Sequence, residues 1–247
     1  MIIKMPRFFV PDCGQTGGLV ILDGDNARHA SFALRMRKGD AVTLCGADGR
    51  TMRGTLERFD GTTVSVRIVG EDSGAEPPFP VTLYQGLTKG DKFEYIIQKA
   101  VETGATRIVP FLSSRCIAKL EDGGRTEKKL ERWKRIAEEA AKQCGRGIVP
   151  AVAYPISFEE ALKEASEAET VFLCYEREEG VSLSDLLKAH PEGAVSFLIG
   201  PEGGFSEKEA SLAAEHGIAL CGLGSRILRT ETAPVFVLSC ITYEREL

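Results

Sequence analysis

A chain of 247 residues has room for one large domain or two ordinary ones, and its 43% hydrophobic content is that of a globular protein with a buried core. No apolar run approaches a bilayer span, and Met1 to Arg7 carries Lys4, Pro6 and Arg7 without an apolar leader, so membrane and secreted classes are excluded and a cytoplasmic protein is expected. The formal charge of −5 argues against a uniformly basic nucleic-acid binder, but it is unevenly spread: residues 1 to 72 hold 10 Lys+Arg against 9 Asp+Glu, and residues 73 to 247 hold 21 against 27.

The first seventy residues read as short strands: Arg7 to Val10, Ala41 to Cys45, Arg50 to Arg58 and Thr62 to Val69. Asp48-Gly49 and Asp60-Gly61 stand between such runs, where tight turns need positive φ. The pattern predicts a small antiparallel, barrel-like domain over residues 1–72. A short helix over 27–36 would put Arg28 and Arg35 on one face. The segment Asn26 to Lys38 holds Arg28, His29, Arg35, Arg37 and Lys38 and no acid. It reads equally as a solvated face or as a phosphate-contacting surface. Residues 73–80, rich in Gly, Pro and acid, are the expected linker.

From residue 81 onward strands alternate with amphipathic stretches: Val81 to Gln85, Arg107 to Phe111, Thr170 to Cys174, Ala194 to Ile199 and Ile218 to Leu223. That alternation predicts a mostly parallel α/β sheet over 81–247. The first helix, with Phe93, Ile96, Ile97, Ala100 and Val101 on one stripe, is expected to open in a capping box of Asp91 and Glu94 and to close at Gly104. A second stripe runs from Trp133 to Cys144, with Trp133 assigned to the core. Ser157 with Glu160 and Ser206 with Glu209 mark two further capping boxes. The last helix is expected from Ala233 to Glu246, with Thr230, Glu231 and Thr232 available to cap it.

Seven scattered cysteines with no C-x-x-C pair argue against a disulfide framework and read as small buried apolar residues. His29, His190 and His216 are not at ligand spacing, so no metal is expected.

The chemistry is expected beyond the carboxyl ends of the strands. Phe197 to Phe205 (FLIGPEGGF) is a buried-strand pattern stopping at Gly200, and glycines there let backbone groups approach a ligand. It is neither a dinucleotide fingerprint nor a P-loop. A cofactor loop and a tight strand-to-helix turn are both compatible with it. A second glycine loop, Gly222 to Thr232 (GLGSRILRTET), ends another strand, and Leu173-Cys174-Tyr175-Glu176 ends the strand between; together they imply one crevice. Open alternatives are a noncatalytic RNA-binding factor and a nucleotide-binding hydrolase or transferase.

At these residues the chain resembles the SPOUT methyltransferases, and within them the RsmE group. The matching segments are Gln85 to Cys116, Arg132 to Arg146, LIGPEGGFS (Leu198 to Ser206) and LGSRILRTETA (Leu223 to Ala233), with Arg28 to Asp40 similar to the family's PUA-like domain. GPEGG together with LRTETA is the specific part. The resemblance implies a SPOUT α/β fold tied in a deep trefoil knot behind a PUA-like β-barrel. It also implies methylation of N3 of a specific uridine in 16S ribosomal RNA of the small subunit, with S-adenosyl-L-methionine as cofactor, and a homodimer; because the cofactor loops are shared across the superfamily, another RNA target, a ribose 2'-hydroxyl or a transfer RNA, stays open.

By the same resemblance the cofactor would be held by Leu173, Tyr175, Ile199, Gly200, Glu202, Gly203, Gly204, Leu223, Gly224, Ile227, Leu228 and Thr230. Arg229 and Glu231 are the expected catalytic residues, Arg229 to position or polarise the uracil or its phosphate, and Glu231 or Glu202 to accept the proton or to partner the cofactor amine. Arg7, Arg28, Arg35, Lys89 and Arg115 are expected phosphate contacts.

Overall fold

The computed structural model describes residues 5–117, 124–178 and 180–247; Met1 to Lys4 of the opening segment lie outside the described residues. The chain divides into two compact units, Met1–Glu76 with Ala141–Val149, and Pro77–Ala140 with Pro150–Leu247. The return of 141–149 to the front unit is not visible in a linear reading. There the Glu76 carboxylate accepts bonds from the Arg146 guanidinium at 2.6 and 3.0 Å and from the backbone N–H groups of Gly147 and Ile148 at 2.8 and 3.0 Å. The buried Arg146 charge is thus held by a carboxylate, the condition for burying it at all.

The front sheet comprises β1 (Arg7–Val10), β2 (Leu19–Leu22), β3 (Ala41–Gly46), β4 (Thr51–Phe59) and β5 (Val64–Glu71), in the order β1-β3-β4-β5-β2. The curled sheet expected of the front domain is present, but it is not wholly antiparallel. Strand β1 runs parallel to β3, and β1 and β2 stand at opposite edges without pairing, so the sheet is a curled half-barrel. Its curl has a local cause: β4 and β5 slip register at Arg53/Gly54 and Leu56/Arg58. At Gly54 a Cβ would lie 2.4 Å from Val66 Cγ1, so only glycine fits there. Gly49 and Gly61 take positive φ in the expected turns. The core gathers Phe8, Leu22, Leu44, Leu56, Val66 and Ile68 inside the curl.

The expected helix over 27–36 is displaced by three residues toward the N-terminus and is not α-helical throughout. It consists of α1 (Gly24–Arg28) followed by a π-helical turn, His29–Ala33. Arg35 has left the helix with φ +52°, so Arg28 and Arg35 do not share a helical face.

The back unit carries β6 (Val81–Gly86), α2 (Lys92–Glu102), β7 (Arg107–Leu112), β8 (Ala151–Val152), β9 (Ile156–Ser157), α4 (Phe158–Ala165), β10 (Thr170–Cys174), α5 (Leu183–Ala189), β11 (Val195–Ile199), α6 (Glu207–Glu215), β12 (Ala219–Cys221) and α7 (Ala233–Arg245). Helix α3 (Arg125–Cys144) begins there and ends in the front unit. The strands run in the order β12-β10-β11-β6-β7-β8, with β9 also on β7, and every pair is parallel. Their carboxyl ends therefore share one edge, the edge where open α/β sheets bind ligands.

Alternation along the strands loads both faces. Phe111, Phe158 and Phe205 cluster with Leu173 and Leu198 under α4 and α6, while Phe172 and Phe197, register partners one residue out of phase, stack at 5.8 Å on the other side. Trp133 lies against Phe93 at 4.5 Å, as expected of a core residue.

Two capping boxes form as expected, at Ser157/Glu160 and Ser206/Glu209. The third does not: Asp91, at ψ 2°, lacks the extended backbone of a cap residue and makes no side-chain cap bond, and Glu94 is drawn to Arg132 at 2.7 Å. Helix α7 also lacks a side-chain cap. Thr232 is already in helical conformation, and the Thr230 hydroxyl is used elsewhere. Among the described residues no helix is long and apolar enough to cross a membrane, and no His, Cys, Asp or Glu cluster could hold a metal.

Candidate functional site

At the carboxyl edge of the sheet three strand ends enclose a cavity of about 720 Å³, a size suited to a cofactor. Its walls are Cys174 to Glu178 after β10, Ile199 to Phe205 after β11, and Gly222 to Glu231 after β12, with Val181, Ser182 and Lys92 completing the rim. Strand β10 lies between β11 and β12, which is why its end forms the floor between the two glycine loops.

Eleven of the twelve residues expected to hold the cofactor line this cavity: Tyr175, Ile199, Gly200, Glu202, Gly203, Gly204, Leu223, Gly224, Ile227, Leu228 and Thr230. Leu173 does not. It is one residue out of phase, fully buried in the core beneath, where it supports the floor without facing the space. Arg229 and Glu231 both line the cavity.

The glycines are required by close approach. Gly204 has φ +63°, and a Cβ on it would meet the Glu176 carboxylate oxygens at 3.0 and 3.1 Å. At Gly200 a Cβ would press on the Gly204 backbone at 3.0 Å, and at Gly222 it would sit 2.2 Å from the Glu178 carbonyl oxygen. The backbone is thus folded tightly on itself, leaving its free face to the cavity.

The loops are tied from below. Gln85, fully buried at the end of β6, donates from Nε2 to the carbonyls of Gly86 (3.2 Å) and Gly200 (3.3 Å) and to Thr230 Oγ1 (3.1 Å). Thr230 Oγ1 donates to the Gly200 carbonyl at 2.7 Å. One strand end and both glycine loops therefore meet at a single hydrogen-bonded knot of atoms. The sequence signal for Gln85 is a long polar side chain closing a strand, Val81 to Gly86, whose other positions are mostly buried.

A second brace comes from the loop after β7. Arg115 donates to the carbonyls of Gly203 (2.9 Å) and Phe205 (3.1 Å), and the Ser114 N–H donates to Glu209 at 2.8 Å. Arg115, exposed, is thus tied to the glycine loop through one guanidinium nitrogen. Burial pushes the Glu209 carboxyl up, but bonds from Ser206 and Ser114 outweigh it and hold the group below the usual carboxylate range. Glu202 is likewise lowered: burial opposes ionisation, and bonds from backbone N–H groups, its own and Lys89's, with the Lys92 ammonium at 3.3 Å, outweigh it. Glu202 is therefore committed to the segment between β6 and α2, which leaves Glu231 as the freer acid. The Glu231 Oε2 atom is buried without a hydrogen-bond partner among the described residues.

Among the expected phosphate contacts, Arg7 is the one the structure turns inward. Its side chain is only 14% exposed and pairs with Asp72 at 3.4 Å, an internal ion pair of the front sheet. Arg28 is exposed beside Asp25, and Arg35 and Lys89 are exposed.

The cysteines are free. Cys13, Cys45 and Cys221 are buried, and burial, reinforced by the Glu178 charge, pushes the Cys221 thiol up to about 12. They serve as packing residues at neutral pH.

Residues 75–242 match the RNA methyltransferase domain family. The chain is 37% identical over 232 residues to a ribosomal RNA small subunit methyltransferase E of Bacillus subtilis, covering 92% of this chain and 90% of that protein. Among solved structures it is similar to a ribosomal RNA small subunit methyltransferase E from Neisseria gonorrhoeae bound to S-adenosyl methionine, with TM-score 0.88, 35% identity and 98% of each chain covered. It is also similar to a methyltransferase of Legionella pneumophila in complex with the same cofactor, with TM-score 0.85, 30% identity and 98% of each chain covered. With the parallel sheet, the half-barrel in front and the three-loop cavity in place, the chain belongs to the RsmE family of SPOUT-type RNA methyltransferases.

Proposed function

We propose that this protein methylates N3 of one specific uridine in the 16S ribosomal RNA of the small subunit, using S-adenosyl-L-methionine. The observation that carries the reading is the enclosure of one cavity by three strand-end loops, with Gly200, Gly204 and Gly222 packed too closely to admit a side chain, in a chain so similar to a relative bound to that cofactor. Backbone groups of 199–204 and 222–228, with Tyr175 and Ile227, would hold the cofactor, and the buried, unpartnered Glu231 Oε2 fits a site that receives a polar group from outside the chain.

When bound, S-adenosylmethionine supplies a methyl carbon made electrophilic by its sulfonium. The chain's own task is to bring the imide nitrogen to that carbon and remove its proton. In this proposal Glu231 accepts the N3 proton. Arg229, exposed on the cavity wall with no hydrogen-bond partner for its guanidinium among the described residues, polarises the neighbouring uracil oxygen as negative charge develops. The front unit contributes RNA binding through Arg28 and Arg35, and Lys89 adds a phosphate contact beside the cavity loop. The active form is a homodimer, consistent with the exposed aromatics Phe236 and Tyr243 on α7.

Calorimetric titration tests the cofactor assignment: S-adenosylmethionine is expected to bind stoichiometrically and ATP not at all. Binding of ATP alone would move the protein to the nucleotide-using class.

A further inference from the structure

The front unit holds one aromatic ring that its fold leaves in water. Phe32 is 74% exposed, whereas Phe8 is fully buried in the same unit. Single exposed apolar side chains are ordinary, so exposure alone says little. What distinguishes Phe32 is its setting. It sits in the π-helical turn His29–Ala33, whose Ala30 is fully buried, so the turn is pinned by one face while the ring projects from the other. Three residues on, Arg35 holds φ +52°, the only positive φ outside glycine among the described residues. That conformation costs a side chain about 1–2 kcal/mol and carries Arg35 out of the helical line.

The charges nearby are uncompensated. Asp25 pairs with Arg28, and Asp40 accepts from the Arg37 backbone N–H at 2.7 Å. The guanidinium groups of Arg35 and Arg37 have no carboxylate partner among the described residues and are exposed. An exposed ring followed, three and five residues on, by two guanidinium groups without a carboxylate partner among the described residues is the combination that single-stranded RNA takes, the ring stacking on a base and the cations meeting the phosphates on either side. A protein partner would call for a broad apolar surface, whereas this one is interrupted by Arg35, Arg37 and Lys38.

We propose that Phe32 is a stacking platform for an unpaired base of the RNA substrate, with Arg35 and Arg37 holding the flanking phosphates. The proposal rests on the ribosomal RNA reading above and names the mode by which the front unit grips its substrate.

The test uses the full-length protein and a single-stranded oligoribonucleotide carrying 2-aminopurine, whose fluorescence is quenched on stacking. Phe32→Ala is expected to lower affinity between about 5-fold and 150-fold and to abolish the quench, with the salt dependence of binding unchanged. Phe32→Trp is expected to restore both. Arg35→Gln with Arg37→Gln is expected to reduce the salt slope by about 1.4, at roughly 0.7 per phosphate on a single strand, and to leave the quench of the bound complex intact. Phe32 is exposed, so these variants leave the core untouched.

Unchanged RNA affinity in Phe32→Ala overturns the proposal, and so does full rescue by Phe32→Leu, which would mark the ring as a plain apolar contact such as a protein would use. The underlying reading fails separately. A wild-type protein that binds RNA through Phe32 but transfers no methyl group to small-subunit RNA overturns the methyltransferase assignment and keeps the platform. Methyl transfer with a dispensable Phe32 does the reverse.

Discussion

Thr230 and Gly200 are joined by a 2.7 Å hydrogen bond that fastens the loop before α7 to the loop after β11, with Gln85 donating to both. The three residues lie 145 positions apart at the extremes, yet their geometry fixes the two loops facing the cavity. Replacing Thr230 with valine keeps the shape and removes the hydroxyl, leaving the Gly200 carbonyl and the Gln85 amide short of a partner. A loss of about 1–3 kcal/mol is expected, the usual consequence of leaving a buried polar group unmade. Urea unfolding measures the stability change, and cofactor titration is expected to show weaker binding in parallel.

The glycines separate by cause. Gly222 has backbone in the way, with the Glu178 carbonyl 2.2 Å from a would-be Cβ, whereas Gly224 has φ +94° but open space around it. Gly222→Ala is expected to disrupt the β10–β12 end and abolish cofactor binding. Gly224→Ala is expected to cost only the left-handed conformation, about 1–2 kcal/mol, with binding retained at lower affinity. Paired thermal melts with and without cofactor distinguish them.

The braces of the glycine loop give a pH dependence. Glu209 is nearly buried and its carboxyl is held below the ordinary value of 4.5, since burial is outweighed by bonds from Ser206 and Ser114. A lowered folded-state value means that its contribution is complete above pH 4.5 and declines as the pH falls through the folded-state value. Unfolding free energy of the wild type is therefore expected to drop below pH 4.5 more steeply than that of Glu209→Gln, which caps α6 without a charge. Urea titrations from pH 7 to pH 3.5 measure the two slopes; identical slopes would contradict the brace.

Much of this was legible in the sequence, for reasons that differ by element. Strands β6, β7, β10 and β11 were readable because both faces are apolar, and the Ser157/Glu160 and Ser206/Glu209 boxes because their bonds are local. Leu173 was misplaced into the cavity because a run read as strand end does not reveal its phase; only the register with Leu198 shows that it points into the core. Strand β2 was missed because Leu19 to Leu22 is a short unbroken apolar run, and the parallel pairing of β1 with β3 because pairing partners are set by tertiary packing. Arg115 and Arg7 look like free cations in a sequence, but carbonyls and a carboxylate distant in the chain claim them. Gln85 was hidden for the same reason, its partners being remote.

Arg229 separates binding from chemistry. Its guanidinium makes no hydrogen bond among the described residues, so Arg229→Ala removes no bond from the loop frame. Cofactor affinity is expected to change by less than about 3-fold while methyl transfer falls by about 100-fold or more, the scale for loss of a group that stabilises developing charge. Single-turnover transfer alongside calorimetry reads both quantities.

The central claim is tested most directly by incubating the protein with methyl-labelled S-adenosylmethionine and small ribosomal subunits from a strain lacking its own copy of the enzyme, then digesting the RNA and identifying the labelled nucleoside by mass spectrometry. The account predicts 3-methyluridine at a single position, absent when Arg229→Ala replaces the wild type. Label on a ribose hydroxyl, label in transfer RNA only, or no label with cofactor bound would contradict it.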